Sequence, residues 1–354
     1  MPELDRLLRH LKDQGGSDLH LAAGMEPRLR VRGELVSVAD SRPLADAELR
    51  ALLEPAASER HWREWSETHD VDFAYGLAGV ARFRANYFVQ EHGAGAVFRM
   101  IPEEIVSLDA LALPPAIARL AELRAGLVLV TGPTGSGKST TLAAVIDKVN
   151  RELSRHIVTI EDPVEFVHGN VRSVLSHREV GLHTQGFADA LRAAVRQDAD
   201  VVLVGEMRDR DTISMALAAA EMGLLVFGTL HTSGAAKTID RIVDAFPASE
   251  QGQVRLSLSE SLAAVVSQLL LPGKDGKGRV AANEILLRSA GLPNLIREGN
   301  TPMINSVIQS GRKDGMQTMD DSLFALVQAG RVDPSEAYRK AADKARFESL
   351  LPKD

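Results

Sequence analysis

The sequence predicts an α/β chain in two parts: a small α+β region with mostly antiparallel strands, then a parallel sheet sandwiched by helices. Three observations carry this. Short alternating stretches at residues 18–21, 28–32, 71–75 and 81–87 have the period of half-buried strands. Largely apolar runs at 127–130, 156–160, 201–204 and 224–227, separated by helical patterns, are what strands buried on both faces require. A glycine-rich loop at residues 132–139 follows the first of those runs and opens a helical stretch.

Residues 3–13 read as an amphipathic helix with Leu4, Leu7, Leu8 and Leu11 on one face, stopped by Gly15 and Gly16. Two alternating strands follow, and Gly33 turns the second into Leu35 and Val36. Residues 46–68 read as helical. Val71 to Tyr75 is a strand, Gly76 and Gly79 supply a turn, and residues 81–87 return as a strand. There Ala81, Phe83, Ala85 and Tyr87 share one face, and Arg82, Arg84 and Asn86 share the other. Gly93 to Gly95 leads into a strand ending at Ile101. Pro102, Pro114 and Pro115 bracket a linker, giving an N-terminal domain 1–101, a linker 102–115 and a second domain 116–354. The pattern from about residue 235 onward reads as almost all helical.

Composition narrows the function. A length of 354 residues suits two domains. Forty-one Lys and Arg against 48 Asp and Glu give a net charge of −7, which argues against a surface built wholly for nucleic acid. Aromatics at 4% argue against a base-stacking platform. The absence of cysteine excludes disulfides, thiol chemistry and a cysteine zinc site. No apolar stretch approaches the roughly 20 residues of a membrane-spanning helix, and the N-terminus lacks a basic-then-apolar signal. A cytoplasmic protein without direct membrane insertion is expected.

Residues 132–139, Gly-Pro-Thr-Gly-Ser-Gly-Lys-Ser, fit the pattern of a phosphate-binding loop. Glycines let backbone N–H groups face a phosphate, and the helix N-terminus adds positive dipole. Lys138 can reach β- and γ-phosphates, and the Ser139 hydroxyl is placed for Mg²⁺. Pro133, Thr134, Gly135, Ser136, Gly137, Lys138, Ser139 and Thr140 are the expected nucleotide contacts. Asp200 to Glu206, Asp-Val-Val-Leu-Val-Gly-Glu, resembles a Walker B strand in which Gly205 replaces the usual aspartate, leaving Glu206 to reach the metal directly or through water. Glu161, Asp162 and Glu165 cluster after another apolar run, and carboxylates there need a metal, water or cation. His231 follows a fourth run, between Thr229 and Thr232, where it could hydrogen-bond a γ-phosphate.

These four segments, in this order and spacing, resemble the secretion ATPase superfamily of type II and type IV secretion and type IV pili: a Walker A loop, an Asp box, a Gly-Glu Walker B and a His box. Residues 16–21, 82–84, 93–99, 235–241 and 315–320 are similar to signatures of its PilT-like pilus retraction branch. Extension ATPases usually carry an extra N-terminal domain and often a four-cysteine zinc site, and neither is found in this sequence. Two departures stand out. Gly291-Leu292-Pro293 replaces the first half of a C-terminal helical segment linked to retraction, and Arg196-Gln197-Asp198-Ala199-Asp200 alters the approach to Walker B.

The resemblance implies a PAS-like N-terminal domain and a RecA-like P-loop ATPase domain with a helical C-terminal part, assembled as a homo-hexamer at the inner-membrane base of a pilus machine. ATP and Mg²⁺ would be its cofactors. Its partners would be an inner-membrane platform protein and, indirectly, the pilin fibre, with no nucleic acid. Glu161 is the candidate for orienting or deprotonating the attacking water, Glu206 for Mg²⁺ or its waters, and His231 for sensing the γ-phosphate; the sequence leaves the division between the two glutamates open. Arg84 and Arg99 match arginines that reach nucleotide in relatives. Alternatives are an extension or secretion ATPase of the same superfamily, a RecA-type nucleic-acid motor, and a nucleotide-binding ring without turnover, against which Lys138, Ser139 and Glu206 argue.

Overall fold

The computed structural model describes residues 3–31, 33–101, 104–276 and 278–351. Met1, Pro2, Arg32 and Pro102, which enter the sequence reading, lie outside the described residues. The chain divides into two compact units. One runs to Glu104 and takes in Asp162–Val167; the other comprises Ile105–Glu161 and the chain from His168 onward.

The first unit contains α1 (Glu3–Asp13), β1 (Asp18–Ala22), β2 (Arg28–Val31), β3 (Glu34–Ser37), α2 (Asp46–Leu53), α3 (Glu59–Thr68), β4 (Asp70–Leu77), β5 (Ala81–Gln90) and β6 (Gly93–Ile101). The region expected as one helix is two, broken around Pro55, whose ring cannot continue the α2 ladder. The strands form an antiparallel sheet of order β3-β2-β1-β6-β5-β4. The expected alternation of β5 holds, with Ala81, Phe83, Ala85 and Tyr87 buried. They pack with Leu4, Leu8 and Leu11 of α1, Leu49 of α2 and Trp65 of α3. Tyr87 is buried, and its hydroxyl donates to the Leu53 carbonyl at 3.1 Å, so its one polar atom is satisfied.

The second unit contains α4 (Pro115–Arg119), β7 (Gly126–Thr131), α5 (Lys138–Glu152), β8 (His156–Glu161), β9 (Val174–Glu179), α6 (Phe187–Val195), β10 (Val201–Val204), α7 (Arg210–Glu221) and β11 (Leu225–Leu230). It continues with α8 (Ala235–Asp244), α9 (Ala248–Ser261), β12 (Leu262–Pro272), β13 (Arg279–Leu287), α10 (Leu292–Glu298), α11 (Ile304–Ser310), α12 (Met319–Gln328), α13 (Pro334–Lys340) and α14 (Ala345–Glu348). Its sheet has the order β13-β12-β7-β11-β10-β8-β9 and is parallel except for β13. Both faces are covered, which is why the strands are continuously apolar. Leu127 and Leu129 enter the core on one face and Val128 and Val130 that on the other; Val202 and Val204 divide from Val201 and Leu203 in the same way. No helix among the described residues is long and apolar enough to cross a membrane.

The structure corrects the reading of residues after 235 as almost all helical. β12 and β13 form a long hairpin that extends the sheet beyond β7. The run from Leu262 to Leu271 carries no helical period, Val265 and Val266 favour extended backbone, and Pro272 and Gly273 open the turn. The altered residues Gly291, Leu292 and Pro293 sit at the start of α10, with Gly291 as its N-cap. Proline is tolerated in a first helical turn because its missing N–H would have no intrahelical partner there, so the helix forms despite the change.

β9, at the sheet edge, shelters a histidine pair. His177 Nδ1 meets the Thr159 hydroxyl at 2.9 Å, and the His168 N–H donates to His177 Nε2 at 3.1 Å. The rings stack with centroids 5.9 Å apart. Burial first, and the neighbouring His177 next, hold the His168 imidazole down at about 4, against an ordinary value near 6.5. His168 is thus neutral when folded, while the unfolded chain takes up a proton below about pH 6.5. Its contribution to stability is complete above that pH and is lost as pH falls toward about 4. Urea unfolding of the wild type should weaken more steeply across this window than that of His168→Phe, which has nothing to titrate. Parallel losses in the two proteins would clear His168 of the effect.

Candidate functional site

The strands β7, β8, β10 and β11 run parallel, so their C-terminal ends lie along one edge of the sheet, the edge where ligands bind in such folds. The loop between β7 and α5 is curled by Gly132, Gly135 and Gly137, with φ of 144°, 76° and 84°. Lys138 Nζ donates to the carbonyls of Gly132 and Pro133 at 2.9 and 3.2 Å, which folds the ammonium over the loop. Pro133, Thr134, Gly135 and Ser139 are exposed, Gly137 and Thr140 are half-buried, and Ser136 is buried. The hydroxyls of Thr131 and Ser136 are buried with no hydrogen-bond partner among the described residues. Orphan hydroxyls beside a cradle of backbone amides fit a polar ligand that completes the loop.

β8 and β10 end side by side, and the Gly205 N–H donates to the Ile160 carbonyl at 2.7 Å.

 That backbone bond carries the ladder one residue past the end of β10. The Gly205 carbonyl accepts the Thr229 hydroxyl at 2.5 Å, and the Met207 N–H donates to the Thr229 carbonyl at 3.0 Å. Gly205 is thus stitched to the ends of both neighbouring strands. A Cβ at Gly205 would stand 3.2 Å from both Glu161 Cα and the Ile160 carbonyl oxygen. This close approach accounts for glycine where a Walker B strand usually carries aspartate.

Glu206 follows, half-buried, and its Oε1 lies 2.8 Å from His231 Nε2. Arg208 pairs with the same carboxylate. His231 is 44% exposed, so it is not a buried structural histidine. Its ring joins the end of β11 to the residue after Gly205. Thr232 meets the Thr238 hydroxyl at 2.7 Å and ties the His231 segment to α8. Glu161 closes β8 and is half-buried. The altered approach to β10 keeps its anchor, since Asp200 accepts the His156 N–H at 2.8 Å.

Asp162 and Glu165 fall with the first unit, where Arg82 donates to the Val164 carbonyl at 3.1 Å. Arg84 and Arg99 are direct cross-strand neighbours on β5 and β6. Arg84 pairs with Asp72 at 3.3 Å, and Arg99 with Asp18 at 2.8 Å. Burial would push the Asp18 carboxyl up, but the Ser17 hydroxyl and the Arg99 guanidinium hold it below the ordinary carboxylate value.

Sequence reasoning missed the residues behind the loop. Gln268 on β12 donates to the Ser136 carbonyl, and Thr141 and Asn283 donate to Gln268. Glu284 on β13 accepts the Ala235 N–H at 2.7 Å, beneath the His231 segment. Burial raises the Glu284 carboxyl, against the opposing pull of the Ala235 and Met319 amides. The signal available was a polar pair, Ser267 and Gln268, inside an otherwise apolar run.

Residues 3–349 match the family model described as type II/IV secretion system protein. The chain is 48% identical over 345 residues to a type IV pilus retraction ATPase, PilT, of Pseudomonas aeruginosa, covering 98% of this chain and all of the relative. It is 52% identical over 316 residues to a twitching motility protein of Neisseria gonorrhoeae, covering 89% of this chain and 84% of the relative. Among solved structures, the pilus retraction motor PilT with bound ADP superposes with a TM-score of 0.89 at 44% identity, covering 98% of this chain and 99% of that one.

The packing at Gly205 yields a stability prediction. Gly205→Ala forces the ends of β8 and β10 apart and should cost about 1–3 kcal/mol, the usual price of overpacking, read as a lowered urea midpoint. Gly252→Ala on α9, where nothing lies within 4 Å of the new Cβ, should be neutral or stabilise by up to about 1 kcal/mol. Equal midpoints for the two variants would show that the close approach at Gly205 carries no constraint.

Proposed function

The chain belongs to the type II/IV secretion system protein family, and on that footing we propose that it is an ATPase that drives retraction of a type IV pilus. The observation that carries this is the single sheet edge that holds the phosphate loop, Glu161, and Glu206 in contact with His231. The similarity to retraction motors over nearly the whole length supports the direction of work.

In this reading the loop amides and Lys138 bind the β- and γ-phosphates of ATP, and Lys138 exchanges the Gly132 and Pro133 carbonyls for phosphate oxygens. Pro133, Thr134, Gly135, Ser136, Gly137, Ser139 and Thr140 complete the nucleotide contacts. Ser139 and Glu206 would hold Mg²⁺, Glu206 directly or through water. When bound, the ion neutralises charge that builds up on the phosphates. Glu161 orients the attacking water and takes its proton. His231, already 2.8 Å from Glu206, turns to the γ-phosphate and registers its loss. Arg84 and Arg99 supply positive charge to the phosphates, a contact made with ATP and released after hydrolysis. We further infer the functional division of the chain into residues 1–101, a linker 102–115 and residues 116–354. The working form is a homo-hexamer in the cytoplasm, at the inner-membrane base of the pilus machine. It acts on a platform protein and through it on the pilin fibre.

Lys138→Ala in the native cell should leave excess surface pili and abolish twitching. Bald cells would reverse the direction of work to extension, and unchanged pili and motility would remove the pilus role. In the purified protein, Glu161→Gln should lower kcat about 100-fold or more with ATP still bound, as loss of a general base does. Glu206→Gln should instead raise the Mg²⁺ concentration needed for half-maximal rate. The opposite pattern would exchange the two roles.

A further inference from the structure

The phosphate loop is shaped from behind by one residue of β12. The backbone carbonyl of Gln268 packs on Gly132, where a Cβ would stand 2.3 Å from it. Its side chain reaches the other end of the loop, and Nε2 donates to the Ser136 carbonyl at 2.7 Å. Oε1 accepts from the Thr141 hydroxyl at 2.9 Å and from Asn283 Nδ2 at 3.0 Å. A hydroxyl can turn either way, but the Asn283 amide donor and the Ser136 carbonyl acceptor together fix which end of the Gln268 amide carries oxygen. Gln268, Thr141 and Asn283 are each at most 2% exposed, so water does not compete for these bonds. The Asn283 backbone is held in turn, its N–H donating to the Ser322 hydroxyl and its carbonyl accepting from Gln317 Nε2, while its side-chain Oδ1 has no hydrogen-bond partner among the described residues.

In a trans peptide the carbonyl and the following N–H point in opposite directions. Holding the Ser136 carbonyl toward β12 therefore turns the Gly137 N–H away from β12. Gly137 has φ of 84° and lacks a Cβ that would meet Gln268 Nε2 at 2.9 Å, so glycine there leaves room for the Gln268 amide. We propose that Gln268 is a positioning residue for nucleotide binding: it aims the Gly137 amide at the phosphates, and the Thr141 and Asn283 donors keep it aimed. This rests on the reading of residues 132–139 as the phosphate loop.

Gln268→Glu puts a carboxylate oxygen against the Ser136 carbonyl, and Gln268→Met keeps the volume but removes the donor. Both should weaken ADP binding about tenfold or more, the scale of a lost hydrogen bond to a charged group. Adenosine, which has no phosphate, should bind within about twofold of the wild type. The KM for ATP should rise more than kcat falls, the mark of lost ground-state binding. Thr141→Val, which removes one of the two donors to Oε1, should shift ADP binding the same way by less. Combined with Gln268→Met it should add little, because both act through one amide. Should a Gln268 variant fail to fold, Thr141→Val alone carries the test. ADP binding within twofold of wild type in the folded variants would overturn the proposal, and so would equal losses for ADP and adenosine, which mark a merely structural role. A wild-type protein that binds neither ADP nor ATP would instead overturn the phosphate-loop reading beneath it.

Discussion

A parallel sheet buried on both faces can hold a polar group within its strands only where a partner satisfies it, as at Gln268, and leaves groups that must meet a ligand to the strand ends. Each side chain along β7, β10 and β11 enters one core or the other, and an unpaired carboxylate there would cost several kcal/mol. The chemistry is therefore displaced to the strand ends, and parallel direction brings four of those ends to one edge. Residue 132 follows β7, Glu161 closes β8, Gly205 and Glu206 follow β10, and His231 follows β11. The site is a consequence of how the sheet is buried.

The same edge is arranged so that its charges are provisionally satisfied. Glu206 is met by His231 and Arg208, and Lys138 rests on two loop carbonyls. These partners are neutral or solvent-accessible, so replacing them by a more highly charged group loses little. A phosphate offers Lys138 a full charge in place of carbonyl dipoles, and charge-assisted bonds are roughly twice as strong as neutral ones. His231 is connected to Glu206 on one side and, through Thr232 and Thr238, to α8 on the other. A change at Glu206 therefore has a route into the helical part of the unit, by the Glu206–His231 contact, the chain to Thr232 and the Thr232–Thr238 hydrogen bond.

What was legible in the sequence was whatever is encoded locally. The phosphate loop needs glycines and a lysine at fixed spacing, and the carboxylates and His231 each follow an apolar run, so their place at the sheet edge could be read without a structure. β12 could not be read this way. Apart from Ser267 and Gln268 its residues are apolar on both faces, and such a run has no period to separate strand from buried helix; the turn at Pro272 and Gly273 marked only its end. Gln268 was hidden for a further reason. Its role depends on pairing with Asn283 across the hairpin and on the approach of β12 to β7, both set by register. Gly205 was visible as a departure, but its cause, the backbone of Glu161 from another strand, is a tertiary contact. The grouping of Asp162–Val167 with the first unit is likewise invisible along the chain.

The arginines of β5 and β6 show how one strand face can divide its tasks. Arg82 and Arg84 alternate with the buried residues of β5 and so share a face, yet their surroundings differ. Arg82 is half-buried and bonded to the Val164 carbonyl, an anchoring bond whose loss would free a backbone acceptor. Arg84 and Arg99 stand opposite each other as like charges, an arrangement that is unfavourable by itself. Asp72 and Asp18 offset it, each neutralising one guanidinium. Arg84 and Asp72 are both about two-fifths exposed, and an ion pair of that exposure contributes at most about 1 kcal/mol; Asp18 is buried, so its pair with Arg99 is of a different kind. Asp72 therefore holds the Arg84 guanidinium without binding it tightly, whereas the Arg99 guanidinium compensates a buried carboxylate whose loss of partner would be costly.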